Sequence, residues 1–409
     1  MYDGASTRPH GESLVTLPVV TLSARGVDRL RSGHPWIYRS DIAASAAKPG
    51  DFVRVESERG RPLGTGLWSS ASQISLRFLG PEEISDERAW LDDRLRAALA
   101  FRRTLEIDAT AWRLVNAEGD RLPGLIVDVY GEGAARIVVV QALAQGMDRR
   151  LPVITEALVE LLAPAGVLAR NDPRVRRLEG LAEEVTVLFG QVPDEIEVVE
   201  GGLRYRVNLR EGQKTGLFLD QRENHATAGR YAAGRALDAF SYHGGFALRL
   251  AQRCDSVLAL DSSAPAVAQV LANARLNGLA NVEAREVNVF DEMRELEIAR
   301  ERFDTIVLDP PAFAKNKASV PRAAAGYKEI NLRALKLLTP GGVLVTCSCS
   351  SNVDETLFED ILVASAADAR AAVTLLEKRA QARDHPILLG APETHYLKCF
   401  VLRKLGGIG

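Results

Sequence analysis

"LDAFSYHGGF", Leu237 to Phe246, sets an acid inside a short apolar strand and follows it with a glycine-rich turn. The strand reads "RALDAF", and Gly244-Gly245 then opens a helix. Glycines at such a turn let a ligand approach the backbone, and the exposed N–H groups of the helix start attract anionic groups. The turn is not GxGxxG, so a dinucleotide is not its natural ligand. The next strand, "SVLALD", ends on Asp261. An acid there, about 20 residues beyond the glycine turn, suits a ribose diol, although an Asp at that place can also simply cap the following helix.

The same rhythm continues outward. "APAVAQVLANARLNG" reads as a helix closed by Asn277-Gly278, "FDTIVLD" and "GGVLVTCS" read as strands, and "GYKEINLRALKLL" is a helix between them. Strands alternating with helices predict an α/β fold built on a mostly parallel, doubly wound sheet over about 196–409. Ligands of such sheets bind at the carboxyl ends of the strands. The turn and Asp261 together suggest S-adenosylmethionine, a nucleoside carrying an amino acid. "VLDPPAF" places Asp309 at another strand end, where Pro310-Pro311 fixes an extended turn. Phe313 is then either a base-stacking ring or a buried one. "TCSCS" brings Cys347 and Cys349 to the end of a third strand.

The chain has 409 residues, enough for two or three domains. Residues 1–82 read as short strands and turns, with Arg25, Arg29, Arg31 and Arg39 around Trp36 and Tyr38. Arginines among aromatics can hold phosphates and stack on bases; the plainer reading is a solvated face over an aromatic core. Residues 83–195 open with a helical pattern to about 105 and continue as α+β. They include a second basic cluster, Arg174, Arg176 and Arg177, but no evident acid–base pair or metal spacing. The net charge of −3 does not advertise a nucleic-acid binder, so an anionic partner must meet a local patch. No apolar run is long enough to span a membrane, and the first ten residues lack a signal-peptide core. Four scattered cysteines form no disulfide scaffold, so a reducing cytoplasm is expected, and without a CxxC pair no metal is. The oligomeric state stays open, a homodimer included.

"LDAFSYHGGF", "ALDSS", "LDPPAF", "GYKEINLRALKLL" and "TCSCS" together resemble the class I RNA methyltransferases. With "GHPWIYRSDI", "NAEGDRLPGLIVDVYG" and "GQKTGLFLDQREN", the chain is similar over nearly its whole length to 23S rRNA cytosine-C5 methyltransferases that carry an N-terminal PUA domain. The resemblance implies a PUA RNA-binding domain over 1–82, a central domain over 83–195 and a Rossmann-like catalytic domain over 196–409. It implies a cofactor site for S-adenosylmethionine from Asp238, Phe240, Ser241, Tyr242, Gly244, Gly245, Asp261, Asn288 and Pro310. Gln213, Lys214, Thr215, Asp220 and Arg222 match the family stretch beside that pocket, with Arg222 a partner for the methionine carboxylate. Contacts to 23S rRNA would come from Arg25, Arg31, Trp36, Arg39, Phe313 and Lys315. Asn288 stands where many relatives have Asp, and His225 where they often have Arg.

Related enzymes carry their nucleophile in a Thr-Cys-Ser or Ser-Cys-Ser triplet after a Gly-Gly strand. Counted from Gly341, that triplet is Ser348-Cys349-Ser350, which implies Cys349 as the thiolate that adds to cytosine C6. Asp309 would hold the N3/N4 edge of the base. Cys347 is either a small buried hydrophobe or a neighbour of the site, since i and i+2 share a strand face. Two further readings stay open. One is methylation of a uracil C5 or an exocyclic amine, the latter usually preferring Asn-Pro-Pro to Asp-Pro-Pro. The other is an RNA-binding ribosome-assembly factor without turnover.

Overall fold

The last sheet of the chain explains where every motif ends up. The computed structural model describes residues 17–314 and 316–407, so the expected RNA contact Lys315 lies outside the described residues. Seven strands form this sheet: β1 (Arg235–Ala239), β2 (Ser256–Asp261), β3 (Val282–Glu286), β4 (Phe303–Leu308), β5 (Leu338–Ser348), β6 (Ala371–Arg379) and β7 (Lys398–Gly407). Their order is β3-β2-β1-β4-β5-β7-β6. β1 to β5 run parallel, while β7 is antiparallel to β5 and β6. The chain reverses its winding between β1 and β4, which opens a crevice at their carboxyl ends.

Local sequence sets the helices that wrap this sheet. Ser263 caps the helix Ala264–Leu276, accepting from Ala266 N, and Asn277 with left-handed Gly278 closes it. One face of the sheet packs against the helix Gly245–Ala251 and a hairpin, Glu195–Glu200 with Leu203–Asn208. The hairpin buries Leu203, Tyr205 and Val207 and exposes the residues between them, the alternation of a one-sided ribbon. The other face packs against the helices Val320–Leu337 and Glu355–Asp368.

Two smaller sheets precede this one. Val19–Gly80 holds a six-stranded sheet, antiparallel except where Val19–Leu22 runs beside Phe52–Ser57. Ala111–Gly190 holds a five-stranded sheet covered by the helices Glu87–Arg103 and Leu151–Leu162. Phe52, Leu67 and Leu79 of the first sheet are buried in the core of the second, so the two pack as neighbours through apolar contact. Arg176 of the second basic cluster is fully buried: its guanidinium holds the carbonyls of Ala142 and Ala182 and pairs with Asp148 at 2.9 Å. That arginine is part of the scaffold, not of a phosphate-facing surface. No helix among the described residues is long and apolar enough to cross a membrane.

Candidate active site

The turns after β1, β2, β4 and β5 meet around one cavity of about 410 Å³. Phe240, Ser241, Tyr242 and Gly245 line it from the first turn, Asp261 from the second, Asp309 and Pro310 from the third, and Cys349 from the fourth. The segment before β1 adds Gln213, Lys214, Asp220, Gln221 and His225. The first turn is strained: Phe240 and Tyr242 have φ of 70° and 46°, a left-handed conformation costly for non-glycine residues. The surroundings hold it there. Phe240 N and Ser241 N both donate to Leu260 O, at 2.8 and 3.0 Å, and Tyr242 N donates to Asp261 Oδ2 at 2.9 Å. Asp261 also accepts from Ser263 N at 2.9 Å, so it fixes both turns and keeps lone pairs toward the cavity.

Gly245 is needed for space. A Cβ there would lie 2.4 Å from His225 Cε1. His225 cannot yield easily, because Glu200 lies 2.9 Å from its Nδ1 and the Phe246 ring packs edge-on at 4.5 Å. Gly245→Ala is therefore expected to cost about 1–3 kcal/mol of stability through overpacking and to narrow the cavity. Thermal unfolding beside cofactor titration would check it; an unchanged melting temperature with unchanged affinity would contradict the packing argument.

Several expected site residues stand elsewhere. Asp238 is fully buried in β1, behind the cavity wall. The Ala247 N–H points at it without completing a well-formed hydrogen bond, and burial, with Asp309 nearby, pushes its carboxyl up to about 8. Gly244, left-handed at φ 90°, shapes the turn without lining the wall. Asn288 is exposed and caps the helix Val289–Ile298, accepting from Phe290 N at 3.0 Å, also away from the wall. Arg222 is buried in an ion pair with Asp384 at 3.0 Å and does not line the cavity. Phe313 packs among Phe240, Phe290 and Tyr327, with its ring centroid 4.6 Å from that of Tyr327, and so is not a free stacking platform. Arg25 pairs with Asp41, Arg31 with Asp28, and Arg39 donates to the carbonyls of Ser70 and Ser72. Trp36 Nε1 donates to Glu118 at 2.9 Å, a bond from the first sheet to the second.

The two cysteines separate where β5 ends. Cys347 is still in the strand, directly opposite Cys399 of β7, and fully buried. Ser348 is the last strand residue, so Cys349 leaves the strand, half-buried, and joins the cavity wall. Sharing a face at i and i+2 therefore does not bring Cys347 into the cavity. The Cys349 thiol donates to Pro310 O at 3.8 Å. Burial, then the charge of Asp309, pushes that thiol up to about 11. Burial likewise raises Asp309 to about 6, although Gln221 Nε2 donates to its Oδ1 at 2.8 Å.

Sequence reading missed the network that fixes the 209–221 wall. Arg113 and Asp128 form a buried bidentate pair at 2.8 and 2.9 Å in the second sheet. Asp128 accepts from Thr215 Oγ1 at 2.6 Å, and Arg170 holds the carbonyls of Leu209 and Gly212. Asp220 accepts from Tyr396 OH at 2.7 Å; burial alone would raise its carboxyl, but Lys214 and His385 hold it well below the usual carboxylate range. An acid in the apolar run "LIVDVY" was the one local signal of this network.

This architecture, with a cavity at the switch point and an acid at the end of β2, is that of the class I nucleoside-cofactor fold preceded by a small β domain. Residues 20–80 match the model of the PUA-like domain, and residues 145–397 match that of the S-adenosylmethionine-dependent methyltransferases. The chain belongs to the S-adenosylmethionine-dependent methyltransferase family and carries an N-terminal PUA-like domain. It is similar to ribosomal RNA large subunit methyltransferase I of Tolumonas auensis, 40% identical over 385 residues, which cover 91% of this chain and 96% of that protein. The protein of the same name from Aeromonas salmonicida is 40% identical over 381 residues, 90% of this chain and 95% of that one. A crystal structure described as a methyltransferase complexed with SAH superposes with a TM-score of 0.81 at 22% identity, covering 94% of this chain and 99% of the other. A structure described as a SAM-dependent methyltransferase from Streptococcus mutans gives 0.79 at 21% identity, with the same coverage.

The cavity residues fit S-adenosylmethionine. Ser241 Oγ and Asp220 Oδ1 are buried without a hydrogen-bond partner among the described residues, and both residues line the wall. The volume lies within the roughly 300–1,000 Å³ range of small-molecule sites. Asp261→Ala should remove a charged acceptor and loosen the Tyr242 turn. Hydrogen bonds to charged groups are worth about 1.5–3 kcal/mol, so cofactor affinity should fall roughly 10- to 150-fold. Calorimetry with S-adenosylmethionine measures it, and wild-type affinity would remove Asp261 from the site.

Proposed function

We propose that the protein methylates C5 of a cytosine in large-subunit ribosomal RNA, with Cys349 as nucleophile and Asp309 as the group that holds the base. The observation that carries this reading is that Cys349, Asp309 and Pro310 line the same cavity as Ser241, Tyr242 and Asp261, with the Cys349 thiol donating to Pro310 O. The names of the relatives and the PUA-like domain support RNA as the substrate. The units 1–82, 83–195 and 196–409 are assigned to RNA binding, substrate positioning and catalysis, and the cytoplasm to the site of action.

Bound in the cavity, S-adenosylmethionine supplies an electrophilic methyl group. Ser241, Tyr242, Asp261 and Gln213 would hold it. The Cys349 thiol gives up its proton and Sγ adds to C6 of the base, which leaves C5 electron-rich and able to take the methyl; loss of the C5 proton to water then breaks the C6–S bond and returns the cysteine. Asp309, steadied by Gln221, takes up the proton that the thiol gives up and passes it to the N3 edge as negative charge builds there. At neutral pH the free site holds a thiol rather than a thiolate, because its own burial and Asp309 both oppose ionisation. A proton on Asp309 removes one of those two obstacles, so ionisation is coupled to arrival of the base.

The test is bisulfite mapping of ribosomal RNA from a deletion strain and from the same strain carrying the gene. One cytosine of the large-subunit RNA should lose and regain protection. No change at any cytosine, with a methyl lost from a uracil or an exocyclic amine, would overturn the base assignment.

A further inference from the structure

Lys398 is a buried cation next to the nucleophile that no motif announced. It opens β7 directly opposite Ser348, the last residue of β5, and is 2% exposed. Its Nζ donates to Ser350 O at 2.8 Å and to Tyr396 O at 3.0 Å. Both partners are carbonyls, and among the described residues no carboxylate forms an ion pair with it. Burying an ammonium against carbonyls alone is costly unless a charge completes the pair. Cys349 is flanked by the two residues that Lys398 faces: Ser348 across the ladder and Ser350 through its carbonyl.

We propose that Lys398 is a positioning residue that pins the Cys349 loop and adds, beside Lys214, a second positive charge against which the Cys349 thiol ionises. Two observations support it beside this geometry. Burial pushes the Lys398 ammonium down to about 8, and Cys349 is the group that most opposes this, ahead of Asp354 and Glu355. Against burial, Asp309 and Asp220, the ionisation of Cys349 is eased first by Lys214 and then by Lys398. Tyr327, whose hydroxyl lies 2.9 Å from Ser350 Oγ, is a further titratable group beside this loop. Lysine beside a cysteine is a recurring way to favour the thiolate.

This rests on Cys349 being the nucleophile, but its test does not require methyl transfer. The full chain, without RNA, is alkylated with iodoacetamide, and the Cys349 peptide is followed by mass. The thiolate forms the C–S bond and expels iodide, so the rate reports the thiolate population. In wild type the rate should climb tenfold per pH unit from pH 7 and then level off as the pH passes about 8. Beyond that point thiolate–ammonium and thiol–amine differ only in where one proton sits, so further base does not favour the thiolate. Lys398→Met should react about tenfold more slowly at pH 7 for each unit its thiol pKa rises, with no plateau. Lys398→Arg should keep most of the wild-type rate at pH 7 and also lose the plateau, because a guanidinium keeps its charge. Asp309, Asp220, Lys214 and Tyr327 are common to all three proteins, so the differences isolate Lys398. A plateau that persists in Lys398→Arg would overturn the proposal, even if Lys398→Met failed to fold. So would Lys398→Met reacting at the wild-type rate. Methyl transfer retained by Cys349→Ala would instead sink the nucleophile assignment and leave the effect of Lys398 on the thiol standing.

Discussion

Cys349→Ala should lose methyl transfer by ~10³-fold or more and still bind S-adenosylmethionine with nearly wild-type affinity. The loss is large because covalent addition splits one hard step into two easier ones, and no neighbouring group can substitute for the thiolate. The other cysteines cannot reach the base: Cys347, Cys399 and Cys254 are buried in the core. Affinity should survive because the thiol contacts Pro310 O, whereas Asp261, Ser241 and Tyr242 sit on other turns. RNA carrying 5-fluorocytosine at the target makes the distinction visible, because fluorine blocks the proton loss that releases the enzyme. Wild type and Cys347→Ala should form an adduct that survives a denaturing gel, and Cys349→Ala should not. An adduct lost only in Cys347→Ala would move the nucleophile two residues upstream. Full transfer with no adduct in any variant would point to an exocyclic amine.

The catalytic sheet was legible because its information is local. An acid at the end of "SVLALD", a double proline after "VLD" and a glycine turn after "LDAF" each lie within a few residues of the strand that presents them. The separation of the two cysteines needed one further fact, the end of β5 at Ser348, and strand ends are where pattern reading is weakest. What could not be read is held by pairs far apart in the chain. Arg222 looks free in sequence, yet its partner Asp384 lies 162 residues on. Asp128 reaches Thr215 across 87 residues, and Lys398 reaches Ser350 across 48. Buried charges of this kind follow no periodicity; they satisfy one another only once the fold exists. Asn288 and Phe313 show the converse: their residue types suit a ligand, and in the fold they also cap a helix and join an aromatic cluster.

Asp309→Asn should lower turnover by about 10²–10⁴-fold, the usual contribution of a positioned acid or base, while raising stability near neutral pH. Both effects follow from one perturbation. Asparagine keeps an oxygen for Gln221 Nε2 but has no proton to give to N3, so the base is held without being activated. The stability change has a definite sign. Burial raises the folded carboxyl of Asp309 to about 6, above its ordinary value of 3.8. Between those two values the folded state binds more protons than the unfolded one, so stability falls as the pH rises through the window. Above it the wild type carries the full penalty of a poorly solvated charge, which the neutral amide removes. Melting temperatures should therefore favour Asp309→Asn at pH 7.5, and the gap should close below about pH 4, where both proteins are neutral at this position. A variant that is inactive and less stable at pH 7.5 would mean that the carboxylate holds the Pro310 turn together rather than serving the substrate. A variant that is more stable and inactive is the pattern of a group kept at a cost in stability for its chemistry. It would also lower the pKa of the Cys349 thiol, since the charge that opposes its ionisation is gone. Faster alkylation of Cys349 in Asp309→Asn than in wild type at pH 8 would tie the two cavity residues into one ionisable unit.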